Sequence, residues 1–170
     1  MQPKIVPCLW FDNQAEEAAR FYVSIFKDAK IGKITRYGKE GFEIHGQTAG
    51  TVMTVEFELG GQAFTALNGG QAFHFNEAVS LQVPCETQEE VDYYWEKLTA
   101  GGDESAQQCG WLKDKYGLSW QVFPKALTEL VGDPASEKSQ RAMKAMLQMK
   151  KIELEKIQQA YEGQGGVLSA

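Results

Sequence analysis

Thr51-Val52-Met53-Thr54-Val55-Glu56-Phe57-Glu58-Leu59-Gly60-Gly61-Gln62-Ala63-Phe64-Thr65-Ala66-Leu67 reads as a β-hairpin. Met53, Val55, Phe57 and Leu59 alternate with Thr54, Glu56 and Glu58, which predicts a strand with one apolar and one polar face. Gly60-Gly61 is a turn signal, residues 62–67 return as the partner strand, and Asn68-Gly69-Gly70 ends it. The close of this stretch has an echo. Gly61-x-x-Phe64-x-Ala66-Leu67 matches Gly117-x-x-Trp120-x-Val122-Phe123. Ahead of each copy, Glu16-Glu17 matches Glu89-Glu90 and Phe21-Tyr22 matches Tyr94-Trp95. Such self-similarity predicts two related modules, each with a helix covering one face of its sheet.

Working outward, residues 4–11 (KIVPCLWF) read as a buried strand. Asn13 and Glu16 have capping-box spacing, and Ala15, Ala18, Ala19, Tyr22, Ile25 and Phe26 recur with helical period, so a helix is expected from Gln14 to Phe26. A strand is expected over Ile31–Tyr37, then a Gly-rich connection from Gly38 to Gly50 that carries His45. In the second copy, Val79, Leu81 and Val83 alternate with Ser80 and Gln82. Thr87 and Glu90 form another capping box, Val91, Tyr94, Trp95 and Leu98 make a helical stripe, and Gly101-Gly102 ends it. Strand-like runs follow over 105–113 and 118–123, joined by a turn at Lys115-Tyr116-Gly117.

After these modules, Asp133-Pro134 reads as a helix start. Met143, Met146, Leu147, Leu154, Ile157 and Tyr161 share one helical face, while Met149 and Ile152 fall opposite. The arm is therefore either two short helices broken near Lys150–Glu153 or one helix buried on two faces. The domain reading is a paired domain over 1–132 (modules 1–75 and 76–126), an arm over 133–162 and a mobile tail over 163–170.

The 170 residues are 43% hydrophobic and 24% charged, which excludes a disordered chain or a disulfide miniprotein. No apolar run reaches the length of a membrane span, and no signal-peptide pattern surrounds Ile5 to Phe11. Cys8, Cys85 and Cys109 are odd in number and widely spaced, which fits a reduced, cytoplasmic protein. Residues 1–135 hold 11 Lys/Arg against 19 Asp/Glu, and residues 136–160 hold six against three. An acidic body argues against nucleic acid binding, and the basic arm is expected to dock on its own body or on a sister subunit.

Phe11-Asp12-x-x-Ala15-Glu16-Glu17-Ala18-x-x-Phe21-Tyr22 resembles the first strand and helix of the vicinal oxygen chelate superfamily, the glyoxalase/bleomycin-resistance/dioxygenase group. Three further stretches resemble its PhnB-like branch, often labelled 3-demethylubiquinone-9 3-methyltransferase. They are Val79-Ser80-Leu81-x-Val83-x-Cys85, Gln88-Glu89-Glu90-Val91-Asp92-x-x-Trp95, and Cys109-Gly110-Trp111-Leu112-Lys113-Asp114-x-x-Gly117-x-Ser119-Trp120-Gln121-x-x-Pro124. The resemblance runs over residues 4–161. It implies an α+β fold of two βαβββ modules around a cupped mixed sheet, commonly in a dimer.

Metal-dependent members of that superfamily place His, Glu, His and Glu on four cup-facing strands. Here the resemblance puts Gln121 and Thr65 at the Glu places, Ala78 or Ser80 at one His place, and Ile5 or Pro7 near the other. None completes a Zn, Ni or Fe site, so no metal and no cofactor is expected. His45 and His74 read as loop histidines, although a His74–Glu77–Cys85 cluster is conceivable. Cys109 reads as a structural cysteine, since no motif sets a histidine beside it. The chain also lacks the Gly-rich loop of a nucleotide-binding Rossmann domain, which argues against a methyltransferase.

Taking Gln121 as cup-facing fixes strand parity. The expected lining is Thr54, Glu56, Thr65, Ser80, Gln82, Ser119 and Gln121, with Leu9, Leu67 and Phe123 as apolar walls. Val79, Leu81, Val83, Phe64 and Trp120 are expected under the helices. Such a lining suits a small polar molecule, with Glu56 as the candidate general base. The functional expectation is a small-molecule-binding member of the superfamily without the family metal. Its alternatives are a sequestering protein without chemistry and a metal-dependent lyase or dioxygenase. The expected assembly is a homodimer.

Overall fold

The computed structural model describes residues 4–164, which fall into two compact units divided at Phe75/Asn76. The first unit runs β1 (Cys8–Phe11), α1 (Ala15–Ile25), β2 (Ala29–Arg36), α2 (Phe42–His45), β3 (Val52–Leu59) and β4 (Gln62–Asn68). Its four strands lie in the order β1-β4-β3-β2. The hairpin at 51–67 forms as read. Leu59 pairs with Gln62, and Gly60 and Gly61, at φ 53° and 81°, supply the left-handed pair that a two-residue turn needs. Val55, Phe57, Leu59, Phe64 and Ala66 are buried on one face. Ala15, Ala18 and Ala19, all fully buried, carry no bulk, and Tyr22 stacks on Phe57, which stacks on Phe64 at 5.2 Å. Burial of each of these large apolar side chains contributes roughly 1.5–3 kcal/mol.

Two local expectations are corrected here. The strand expected over 4–11 is confined to Cys8–Phe11, which pairs with Thr65–Asn68 of β4; just ahead of it the Pro7 carbonyl still accepts from the Thr65 amide at 3.0 Å. Nor does the Asn13/Glu16 capping box form. Gln14 is the cap residue without a side-chain bond, and Asn68 Oδ1 accepts from the Ala15 amide at 2.8 Å. The first helix is thus capped from the end of β4.

The second unit runs β5 (Ser80–Cys85), α3 (Gln88–Thr99), a 3-10 turn at Glu104–Ala106, β6 (Trp111–Lys113), β7 (Ser119–Pro124), α4 (Leu127–Val131), α5 (Glu137–Met146) and α6 (Leu154–Glu162). Its sheet order is β5-β7-β6. The repeat is visible in the pairing, since β4 lies parallel to β1 and β7 lies parallel to β5. The strand expected over 105–113 shrinks to Trp111–Lys113. The residues before it form the 3-10 turn and a single bridge, Gln108↔Trp111. Thr87 caps α3 by accepting from the Glu90 amide, while the Glu90 carboxylate takes the Glu86 amide at 2.8 Å. Val83 and Trp120 are buried as expected, and Val122 is buried on the same face. Val79 is not, being 69% exposed, because β5 starts only at Ser80.

The arm is two helices, with the break at residues 147–153. It packs within its own unit: Leu127, Ala142, Ile152 and Ile157 form a buried cluster, flanked by Phe123, Met146, Met149 and Tyr161. Once the helix breaks, Ile152 turns inward and Leu147, expected on the stripe, lies 50% exposed. The expected tail lies, from residue 165 onward, outside the described residues. Among the described residues no helix is long and apolar enough to cross a membrane.

Candidate functional site

Partners across a sheet point to the same side, so the strand pairing assigns each face. In the first unit, the face opposite α1 carries three rows. One is Trp10, Leu67, Thr54 and Thr35; the next is Cys8, Thr65 and Glu56; the third holds Ala63, Glu58 and Lys30. Thr35 and Thr54 share a hydroxyl hydrogen bond of 2.5 Å, and Lys30 pairs with Glu58 at 3.3 Å. A bulge between Ile31 and Ile34 sets Gly32 against Glu56, where an added Cβ would stand 3.1 Å from the Glu56 Cβ. Over the lower two rows lies a concavity of about 450 Å³ lined by Val6, Lys30, Gly32, Glu56, Glu58 and Thr65, among others.

Thr54, Glu56, Thr65 and Leu67 therefore lie on one face of the first sheet. Leu9 does not. It pairs with Ala66 on the buried face, and it is 7% exposed. Cys8 and Trp10 take the place assigned to it, and Cys8, rather than Ile5 or Pro7, stands beside Thr65. Burial pushes the Cys8 thiol up from its ordinary pKa. Period-two parity places residues only after the register of β1 is known, and this four-residue strand carries too little pattern to reveal it.

In the second unit, Ser80 and Gln82 pair with Ser119 and Gln121. Gln121 Nε2 donates to Ser80 Oγ at 2.8 Å, and Gln82 Nε2 reaches Gln121 Oε1 at 3.5 Å. Lys113 lies beside Ser119, and Trp111 beside Gln121; neither was foreseen, although alternation through β6 contained the signal. Lys113 is ion-paired to Glu77, whose carboxyl it holds below the usual range by hydrogen bonding and charge. Phe123, expected as an apolar wall, packs against the arm cluster. The arm therefore takes up that end of the face.

The residues at the places where the resemblance expects metal ligands do not suit a metal. Thr65, Ser80 and Gln121 are neutral, and the Gln121 amide is committed to Ser80. Among the described residues no three His, Cys, Asp or Glu side chains come together as metal ligands. The His45 ring lies tilted against Tyr37 with centroids 4.7 Å apart, and its Nδ1 accepts from the Gln47 amide, a loop-holding role. His74 is exposed. The Cys85 thiol is pushed up to about 12, by burial first and the Glu90 charge second. Cys109 is structural. At φ 51° it starts a left-handed pair with Gly110, and their amides donate to the Met149 and Lys150 carbonyls at 2.8 Å each. That link ties the arm to the sheet.

The profile of the family described as 3-demethylubiquinone-9 3-methyltransferase matches residues 3–123. A putative 3-demethylubiquinone-9 3-methyltransferase, PhnB protein, from Bacillus cereus is 38% identical. The match covers 72% of this chain and 99% of that one, with a TM-score of 0.62. Two more distant structures share the fold. A protein from Pseudomonas aeruginosa is 18% identical over 73% of this chain and 98% of its own, at TM-score 0.56. The fosfomycin resistance protein FosX from Mesorhizobium loti is 14% identical over 78% of this chain and 99% of its own, at TM-score 0.53. No protein of curated function matches. The family match stops at residue 123, so it does not extend to 161, and the arm helices lie beyond it. Within residues 3–123, profile, identity and fold agree: the chain belongs to the family described as 3-demethylubiquinone-9 3-methyltransferase.

Proposed function

We propose that this chain binds a small polar molecule on the open faces of its sheets, without a transition metal. The observation that carries this reading is the concavity of about 450 Å³ in the first unit, where Glu56, Thr65 and the Lys30–Glu58 pair stand among apolar walls. A few placed polar groups in an apolar hollow are what a small ligand needs for orientation. Glu56 is the carboxylate on the central row and the group we assign as general base if the ligand is turned over. Sequestration without chemistry is the second reading. It is favoured by the exposure of Glu56, since a general base must be held within hydrogen-bond reach of its substrate.

Methyl transfer finds no support in the residues. β1 runs into Asp12-Asn13 rather than a glycine loop, and the Ala15 amide at the start of α1 is taken by Asn68. The three free thiols fit a reducing compartment, and we propose the cytoplasm. A homodimer rests on the superfamily resemblance alone, because the arm buries its apolar cluster within its own unit.

The test is native mass spectrometry of the full chain for a co-purified molecule, followed by titration of that molecule into Glu56→Gln and Thr65→Val. Weakened binding in both supports the reading, and unchanged affinity in both overturns it. Conversion of the molecule by the parent chain but not by Glu56→Gln assigns an enzyme.

A further inference from the structure

One row of the second sheet has a chemistry of its own. Ser80, Ser119 and Lys113 stand at a single register level across β5, β7 and β6, about 4.8 Å apart from strand to strand. Ser119 is 1% exposed, and its Oγ has no hydrogen-bond partner among the described residues. A buried hydroxyl without a partner is costly, and native proteins rarely leave one so. Ser80 Oγ already accepts from Gln121 Nε2, which turns its own hydrogen toward another acceptor. Lys113 offers an ammonium with no acceptor capacity. Its partner Glu77 is 64% exposed at the side chain, against 25% for Lys113. Glu77 is therefore the outer, replaceable half of that pair.

Two hydroxyl donors and one ammonium in a row, with the amide acceptor of the neighbouring Gln121 facing Gln82, present donors to whatever lies over them. We infer that the Ser80–Ser119–Lys113 row is a binding site for the oxyanion group of a small molecule, a phosphate, phosphonate or carboxylate. The inference rests on the small-molecule reading above, as far as that reading takes in the open face of the second sheet, and assigns a class to the molecule bound there. Charge-assisted hydrogen bonds of this kind are about twice as strong as neutral ones, and the otherwise unpaired Ser119 hydroxyl gains its partner only when the anion is bound. In the bound state the anion takes over Lys113 from Glu77.

The experiment is titration of the full chain with inorganic phosphate and, separately, with acetate, followed by 1H–15N NMR of the Ser80 and Ser119 amides and the Gln121 side-chain amide. Saturable shifts at these signals are expected, and the tighter of the two probes tells a phosphoryl from a carboxylate ligand. Lys113→Met should weaken the tighter probe by about tenfold or more. Glu77→Gln should tighten it, since Lys113 is released. Ser119→Ala should weaken binding while its urea midpoint stays level or rises, because a buried unpaired hydroxyl is removed. A purely structural serine would lower the midpoint. Unmoved signals with both probes, weakened binding in Glu77→Gln, or a lowered midpoint in Ser119→Ala overturns the assignment. Those failures involve the second unit only. Failure of the small-molecule reading shows instead at Glu56 and Thr65 in the first.

Discussion

Trp120 and Asp114 are joined by a hydrogen bond of 2.8 Å from the indole Nε1 to Asp114 Oδ2, with both residues 2% exposed. The other carboxylate oxygen accepts from the Tyr116 and Leu118 amides. One buried carboxylate thereby closes the β6–β7 turn and orients the indole that packs under α3. This orientation puts Gln121 and Ser119 on the opposite face.

Asp114→Ala is expected to cost about 3 kcal/mol, because three donors lose a charged acceptor in a dry site. Asp114→Asn keeps one acceptor oxygen and should lose less. Urea denaturation read by Trp fluorescence measures both. Equal stability of Asp114→Ala and the parent would remove the role assigned to this carboxylate.

Gly110→Ala should destabilise the second unit by about 2–4 kcal/mol. Gly110 sits at φ 82°, and an added Cβ would meet the Val122 carbonyl oxygen at 2.7 Å. Amide exchange over residues 149–152 should also quicken, since Cys109 and Gly110 hold that segment.

The arm supplies a paired comparison. Ile157→Ala and Ile152→Ala, at 0% exposure, should each cost about 2–5 kcal/mol. Leu147→Ala, half exposed, should stay within about 0.5 kcal/mol of the parent. Equal effects at positions 147 and 157 would contradict the inward turn of the broken helix.

Thiol reactivity should follow burial. Cys8 is exposed and is expected to react first with a thiol reagent at pH 8, Cys109 more slowly, and Cys85 only on unfolding. The Cys85 thiol lies at about 12 against an ordinary 9.0. Between those values the unfolded chain loses the proton while the folded chain keeps it. Stability from Cys85 is therefore full below about pH 9 and falls as pH rises through the alkaline range. Cys85→Ala should flatten that alkaline loss in a series of urea midpoints.

What the sequence by itself determined is everything written in neighbours a few positions apart. The alternation of 51–59, the two-glycine turn, the Thr87 cap and the helical stripe of α3 are local preferences, and the fold realises each of them. The internal repeat added the pairing of β4 and β7 as equivalent strands, and with it the face of Thr65 and of Gln121. Tertiary structure alone decided the rest. Leu9 and Cys8 exchange places according to a register set by β4, and four residues of β1 carry no pattern that could choose it. The first helix begins where Asn68, 53 positions away, reaches its amide, so the local Asn13 signal loses to a distant acceptor. Lys113 joins Ser80 and Ser119 only because three strands align there. Register between strands is fixed by packing and by hydrogen bonds across long stretches of chain, whereas periodicity records only which side of its own strand each residue prefers.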